Sequence, residues 1–140
     1  GEVIKMARPE VKIVATEPEG ASLLGGLEWK PHKIQGWTPD FVPAVLNPDV
    51  YDELVTVTDE EGKDTALRLA REEGIFVGLS AGATLAAALK VAKRAEPGSV
   101  LLTMLPDTGE RYLSTWLFQE VPEGSDDEWL ASVESGGKRG

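Results

Sequence analysis

Three times in this chain an apolar, strand-like run passes almost directly into a segment with helical periodicity. ELVTV (53–57) leads into TDEEGKDTALRLAREE, IFVGL (75–79) into SAGATLAAALKVAKR, and SVLLTMLP (99–106) into a segment from Gly109 to Phe118. An earlier run, Val11 to Glu17, closes on Pro18. Strands alternating with helices must be joined by right-handed crossovers, which yield a parallel sheet with both faces covered. The pattern therefore predicts an α/β fold of the three-layer α/β/α kind.

Local signals refine the boundaries. GEVIKMA (1–7) reads as a short helix stopped by Arg8-Pro9, since proline cannot continue one. Gly20 to Pro39 is loop-like, and a helical piece is expected from Asp40 to Leu46. Thr58 with Glu61 forms a capping-box pattern, and Gly74 supplies the helix stop. The region divides into a packed domain over 1–118 and an acidic tail over 119–140, expected to dock loosely or not at all. That tail holds six carboxylates against two basic residues.

The charge balance narrows the partners. Acidic residues number 24 against 14 basic ones, which repels phosphate backbones and anionic lipid. Neither nucleic acid nor a membrane surface is an expected partner. No apolar run approaches the roughly 20 residues that span a bilayer, so a cytoplasmic location is the default expectation. Without cysteine and with His32 as the single histidine, a thiolate metal site or a histidine-centred triad has no material.

Chemistry is expected at strand ends, because parallel sheets bind ligands beyond the carboxyl ends of their strands. After Leu79, Ser80 stands at the head of a helix, followed by the small residues Ala81 and Gly82. A helix N-terminus carries about half a positive charge and favours an anion or a neutral acceptor. Ser80 is therefore either a simple N-cap with small neighbours for helix packing, or a ligand contact. After Leu105, Asp107 and Thr108 are candidate caps, and Glu110 with Arg111 is either a catalytic pair or, more commonly, a structural one. Gly25-Gly26 lacks the flanking residues of a phosphate loop.

Three collinear stretches carry more. PHKIQG (31–36), TDEEGKDTALRLAREEGIFVGLSAGA (58–83) and LPDTGERYLST (105–115) together resemble the cysteine synthase family. These are the O-acetylserine sulfhydrylases, pyridoxal 5'-phosphate (PLP) enzymes of the tryptophan-synthase-β type. The resemblance runs from Gly1 to about Phe118 and implies the C-terminal portion of a fold-type II PLP enzyme. The family's phosphate loop, Schiff-base lysine and substrate-carboxylate loop precede the part that this chain matches. It follows as an expectation that the chain supplies no catalytic residue and no metal ligand of its own, and is inactive alone.

The same resemblance assigns roles. It implies that Ser80 hydrogen-bonds the pyridine nitrogen of the cofactor, with Ala81 and Gly82 keeping side chains off the ring edge. It places Gln35 and Gly36 at the substrate pocket. The implied reaction is β-replacement on O-acetylserine with sulfide, giving cysteine and acetate. Implied partners are those small molecules, a second copy in a homodimer, and serine acetyltransferase. The chain departs from the family at Trp37-Thr38-Pro39-Asp40-Phe41, where a glycine-richer loop is common. That departure leaves the nucleophile open, with homocysteine, as in cystathionine β-synthase, the nearest alternative. A stand-alone binding module is the reading from a different class.

Overall fold

The computed structural model describes residues 1–121 and 124–134. A short helix, α1 (Glu2–Ala7), precedes the first strand, β1 (Val14–Pro18), and a long connection leads to β2 (Glu53–Val57). The two strands run parallel, Val14 opposite Glu53 and Pro18 opposite Val57. Pro18, which lacks an amide donor, sits at the end of its strand, where the ladder does not need one. On β2, Val55 and Val57 turn into the core.

The chain passes from β2 into α2 (Asp59–Glu73) through a single residue, Thr58. Its hydroxyl accepts from the Glu61 amide at 3.0 Å, and its own amide donates to the Glu61 carboxylate at 2.9 Å. Two amides that the helix cannot satisfy are thereby satisfied reciprocally. At the far end Gly74 adopts a left-handed conformation (φ 68°), and its amide donates back to Ala70. The capping pattern and the stop stand where the sequence places them.

Helix α3 (Leu79–Ala92) lies against α2, and small residues set how closely. A Cβ added at Gly82 would stand 2.1 Å from the carbonyl oxygen of Gly62 and 2.7 Å from the Ala66 methyl. The two helices are thus in backbone contact. Around this seam Ala66, Leu69, Leu79, Ala83 and Ala86 form the core with Val55 and Val57. The Lys90 ammonium reaches across to Thr56 O at 2.9 Å and to Glu61 at 2.7 Å, joining β2, α2 and α3 at one point.

The structure departs from the expected elements in five places. Residues 75–79 do not form a ladder: Val77 makes one antiparallel bridge with Thr108, and α3 already begins at Leu79 with Gly78 as its N-cap. Ser99–Pro106 joins no ladder among the described residues, and Val100, Leu102 and Met104 face solvent. A continuous apolar run reports side chains and not a hydrogen-bonding neighbour, which is why both stretches read as strands. The Asp40–Leu46 helix is absent; Pro43 has no amide to give, and the Leu46 amide closes only a turn onto Pro43 O.

The fourth departure is in the Gly109–Phe118 segment, which splits into two 3-10 turns, Gly109–Tyr112 and Trp116–Phe118. Thr115 divides them, its hydroxyl donating to Tyr112 O at 2.6 Å. Within the expected tail, residues 122–123 and 135–140 lie outside the described residues, and α4 (Asp126–Glu134) is helical. Its start repeats the capping device: the Ser125 hydroxyl accepts from the Glu128 amide, and the Ser125 amide donates to the Glu128 carboxylate.

Two outcomes follow for stability. Gly82→Ala should destabilise the protein by about 1–3 kcal/mol, the usual cost of overpacking, read as a lower urea midpoint. The Glu61 carboxyl is raised by burial, but bonds from Lys90 and the Thr58 amide outweigh this and hold it below its ordinary 4.5. Its contribution is therefore present above that value and is lost as pH falls below it. With the side chain 39% exposed, the loss should stay under about 1 kcal/mol. Glu61→Gln should flatten the acid limb of the urea midpoint against pH.

Candidate functional site

Polar groups converge at the head of α3. The first amide of this helix to find an intrahelical carbonyl is that of Gly82, bonded to Gly78 O at 3.1 Å. No side chain caps the helix. The amides of Leu79, Ser80 and Ala81 are therefore left without an intrahelical acceptor, and the partial positive charge of the helix is concentrated there. Ser80, expected at the cap position, lies in the first turn two residues inside the actual cap, Gly78, with its residue surface 6% exposed.

A second element closes over this head. The Val77–Thr108 bridge and a 3.2 Å bond from the Gly109 amide to Phe76 O dock the chain after Pro106 beside residues 76–78. The 3-10 turn Gly109–Tyr112 then carries the Tyr112 ring onto Gly78: a Cβ at Gly78 would stand 2.4 Å from the ring edge. The Tyr112 phenol donates to Asp107 Oδ2 at 2.5 Å. Asp107 itself holds a left-handed backbone (φ 70°), a conformation that few residues other than glycine adopt without cost.

Burial pushes the Tyr112 phenol up from its ordinary 10.0, and the hydrogen bond and charge of Asp107 add to this. The nearby Ser80 hydroxyl and the charge of Arg111 act the other way. Sequence reasoning passed over Tyr112 entirely. The available signal was an Asp five residues ahead of a Tyr, flanking a turn glycine.

The loop at 31–37 faces the same place. Ile34 is fully buried and anchors it, while the Trp37 amide bonds Ile34 O at 3.3 Å. Gly36 takes φ 82° at the third position of this turn, which needs a positive φ, as in a type II turn. Gln35 is thereby presented outward and lines a cavity of about 230 Å³ with Leu79, Tyr112 and Thr115. Asp59 accepts from the Lys33 amide at 3.0 Å and ties the loop to α2. The ammonium groups of Lys33 and Lys63 lie over the Trp116 ring, 4.0 and 4.9 Å from its centre, and Lys63 pairs with Glu120 at 3.1 Å.

Of the expected site residues, Ser80 stands at the helix head, Gln35 lines the cavity beside it, and Gly36 shapes the turn that presents Gln35. The two small residues pack inward. Ala81 is fully buried in the hydrophobic core, and the space that a Gly82 side chain would fill is taken by α2, so their size serves helix packing. Glu110 and Arg111 do not pair: Glu110 accepts from the Thr108 hydroxyl at 2.9 Å, and Arg111 stands 3.4 Å from Asp107. The His32 Nε2 approaches Thr38 O at 3.3 Å within its own loop. Among the described residues no cluster of three potential ligands could hold a metal ion, and no helix is long and apolar enough to cross a membrane.

Residues 1–107 match the model of a family described as pyridoxal-phosphate dependent enzyme. The chain belongs to this family. Members with high similarity include the O-ureido-L-serine synthase of Streptomyces lavendulae, 59% identical over 97% of this chain and 42% of the relative. A probable cysteine synthase of Bacillus subtilis is 47% identical over 84% of the chain and 39% of the relative. The crystal structure of O-ureido-L-serine synthase superposes with a TM-score of 0.86 at 60% identity, covering 94% of this chain and 42% of that one. The chain thus spans about two-fifths of the length of the relatives it matches.

The donor set at the head of α3 suits one part of pyridoxal phosphate. A neutral hydroxyl beside three amides without an intrahelical acceptor offers hydrogen bonds to an acceptor and opposes a positive charge, as a neutral ring nitrogen requires. The one buried lysine among the described residues, Lys63, is occupied by Glu120 and Trp116 and is no candidate for a covalent link to the cofactor. The phenol offers a direct check. Ultraviolet titration should show the Tyr112 phenol ionising above 10.0, and Asp107→Asn should bring it down.

Proposed function

We propose that the enzyme to which this chain contributes catalyses β-replacement on an O-acylated serine, with the head of α3 holding the pyridine end of its cofactor. The observation that carries this reading is the uncapped head of α3, with the buried Ser80 hydroxyl among its free amides, in a chain of the pyridoxal-phosphate family. When bound, pyridoxal phosphate supplies an electron sink that lets the bond between the serine β-carbon and its acyloxy group break. Ser80 orients the ring nitrogen by a hydrogen bond and, being neutral, places no counter-charge beside it. The amides at the head of α3 add positive potential, so a protonated nitrogen is disfavoured and the sink stays moderate. Gln35, exposed on the turn held by Ile34 and Gly36, faces the incoming substrate.

In the overall reaction acetate leaves with the bonding electrons, and a nucleophile forms the new bond to the β-carbon and gives up its proton. For the nucleophile we favour the hydroxyl oxygen of hydroxyurea, whose addition gives O-ureido-L-serine. The greater identity and coverage shared with O-ureido-L-serine synthase support it. Cysteine formation from sulfide is the second reading, supported by the Bacillus subtilis relative. The departure from the cysteine synthase pattern at Trp37–Phe41, directly after the Gln35 turn, supports a different nucleophile.

The full-length enzyme with O-acetyl-L-serine should consume hydroxyurea with a higher kcat/KM than sulfide. A preference for sulfide would make it a cysteine synthase, and no turnover with either would overturn β-replacement. Ser80→Asp, which sets a carboxylate against the ring nitrogen and invites a proton onto it, should slow product formation at least tenfold while cofactor still loads.

A further inference from the structure

The cavity that Gln35 lines has two walls. One is the 31–37 loop with His32, Lys33 and Gln35, and the other includes Thr115, Trp116 and Leu117. Among the described residues no hydrogen bond or ion pair joins these two walls. The Lys33 ammonium reaches across instead, 4.0 Å from the centre of the Trp116 ring. That ring is a rigid seat. Leu117, in the same 3-10 turn, is 1% exposed, and the Phe118 ring lies 5.3 Å from that of Phe76. The Thr115 hydroxyl ties the turn back to Tyr112 O at 2.6 Å.

We propose that Trp116 is a positioning residue: its ring seats the Lys33 ammonium, and this strut sets how far Gln35 stands from the opposite wall of the cavity. Asp59 pins the Lys33 amide and Ile34 is fully buried, whereas Gln35 and Gly36, next along the chain, are exposed. With its backbone already held, the Lys33 side chain gives up less freedom when it settles on the ring. A second cation, Lys63, lies 4.9 Å from the same ring centre, and Glu120 at 3.1 Å offsets its charge. Repulsion between the two ammonium groups is thereby reduced, and the indole keeps its attraction for Lys33. Trp116 touches no reacting atom in this scheme and acts through Lys33 on Gln35.

The proposal rests on the reading that Gln35 faces the substrate, and two measurements on the full-length holoenzyme separate them. Hydrogen exchange of the Trp37 amide, which closes the turn onto Ile34 O, reads the loop without turnover. The KM for O-acetyl-L-serine reads the substrate. Lys33→Met keeps the side-chain stem and removes its charge. It should speed that exchange and raise that KM about two- to fivefold, as the loss of an exposed cation from an indole predicts. Turnover at saturation and the absorption of the bound cofactor should stay within about 1.5-fold. Lys33→Arg, which keeps a cation able to stack on the ring, should restore both readouts. In a Trp116→Leu background, Lys33→Met should change neither any further. Equal losses in both backgrounds would mean that Lys33 acts without the ring, and would overturn the proposal. Unchanged exchange in Lys33→Met would also overturn it, as would faster exchange with an unchanged KM. An unchanged KM in Gln35→Ala would take Gln35 off the substrate, sinking the underlying reading and the proposal with it. Should Trp116→Leu not fold, Trp116→Phe, whose ring holds a cation more weakly, should show the same losses at smaller amplitude, and none at all would count against the strut.

Discussion

Everything at the functional end of this chain depends on how closely α3 approaches α2. With the Gly62 carbonyl 2.1 Å from where a Gly82 side chain would begin, the helices meet backbone to backbone. That contact fixes the height of α3 over β2, and with it the position of the three free amides and the hydroxyl at its head. The Lys90 bridge to Thr56 O and Glu61 holds the same three elements from the other flank.

The head of α3 gains its chemistry from neighbours distant in sequence. Tyr112 comes from a 3-10 turn after the last extended stretch, and Gln35 from a turn that precedes both helices. Neither lies on a regular element. Each is positioned by one buried or bridged anchor, Ile34 for the loop and the Val77–Thr108 bridge for the turn. Loops that carry function on a rigid helical seam are the ordinary arrangement of α/β enzymes.

The sequence made the helices legible because their ends are written in side-chain chemistry: Thr58 with Glu61, and Gly74 in the left-handed conformation. It made β2 legible to the residue. It misled at 75–79 and 99–106, where a continuous apolar run is present but, among the described residues, no strand that would pair it into a ladder. Ser125 with Glu128 carried the same capping signal as Thr58 with Glu61 and was obscured by the surrounding acidity. At the site, Ser80 was readable from its place after an apolar run. Gly82 was readable as small but not as to why, since a missing side chain does not say which neighbour needs the space. Tyr112 was invisible because its importance lies in a contact with Asp107 and Gly78 that only the folded turn creates.

Trp116 has an optical consequence. Two ammonium groups lie over its indole, one from the Gln35 loop and one from α2, and it forms part of the wall of the cavity that Tyr112 shares. Indole emission responds to nearby charge, so any displacement of Lys33 with its loop is converted into a change of fluorescence. The chain thus carries a built-in gauge of loop position, in which Lys63, immobilised by Glu120, serves as the fixed reference.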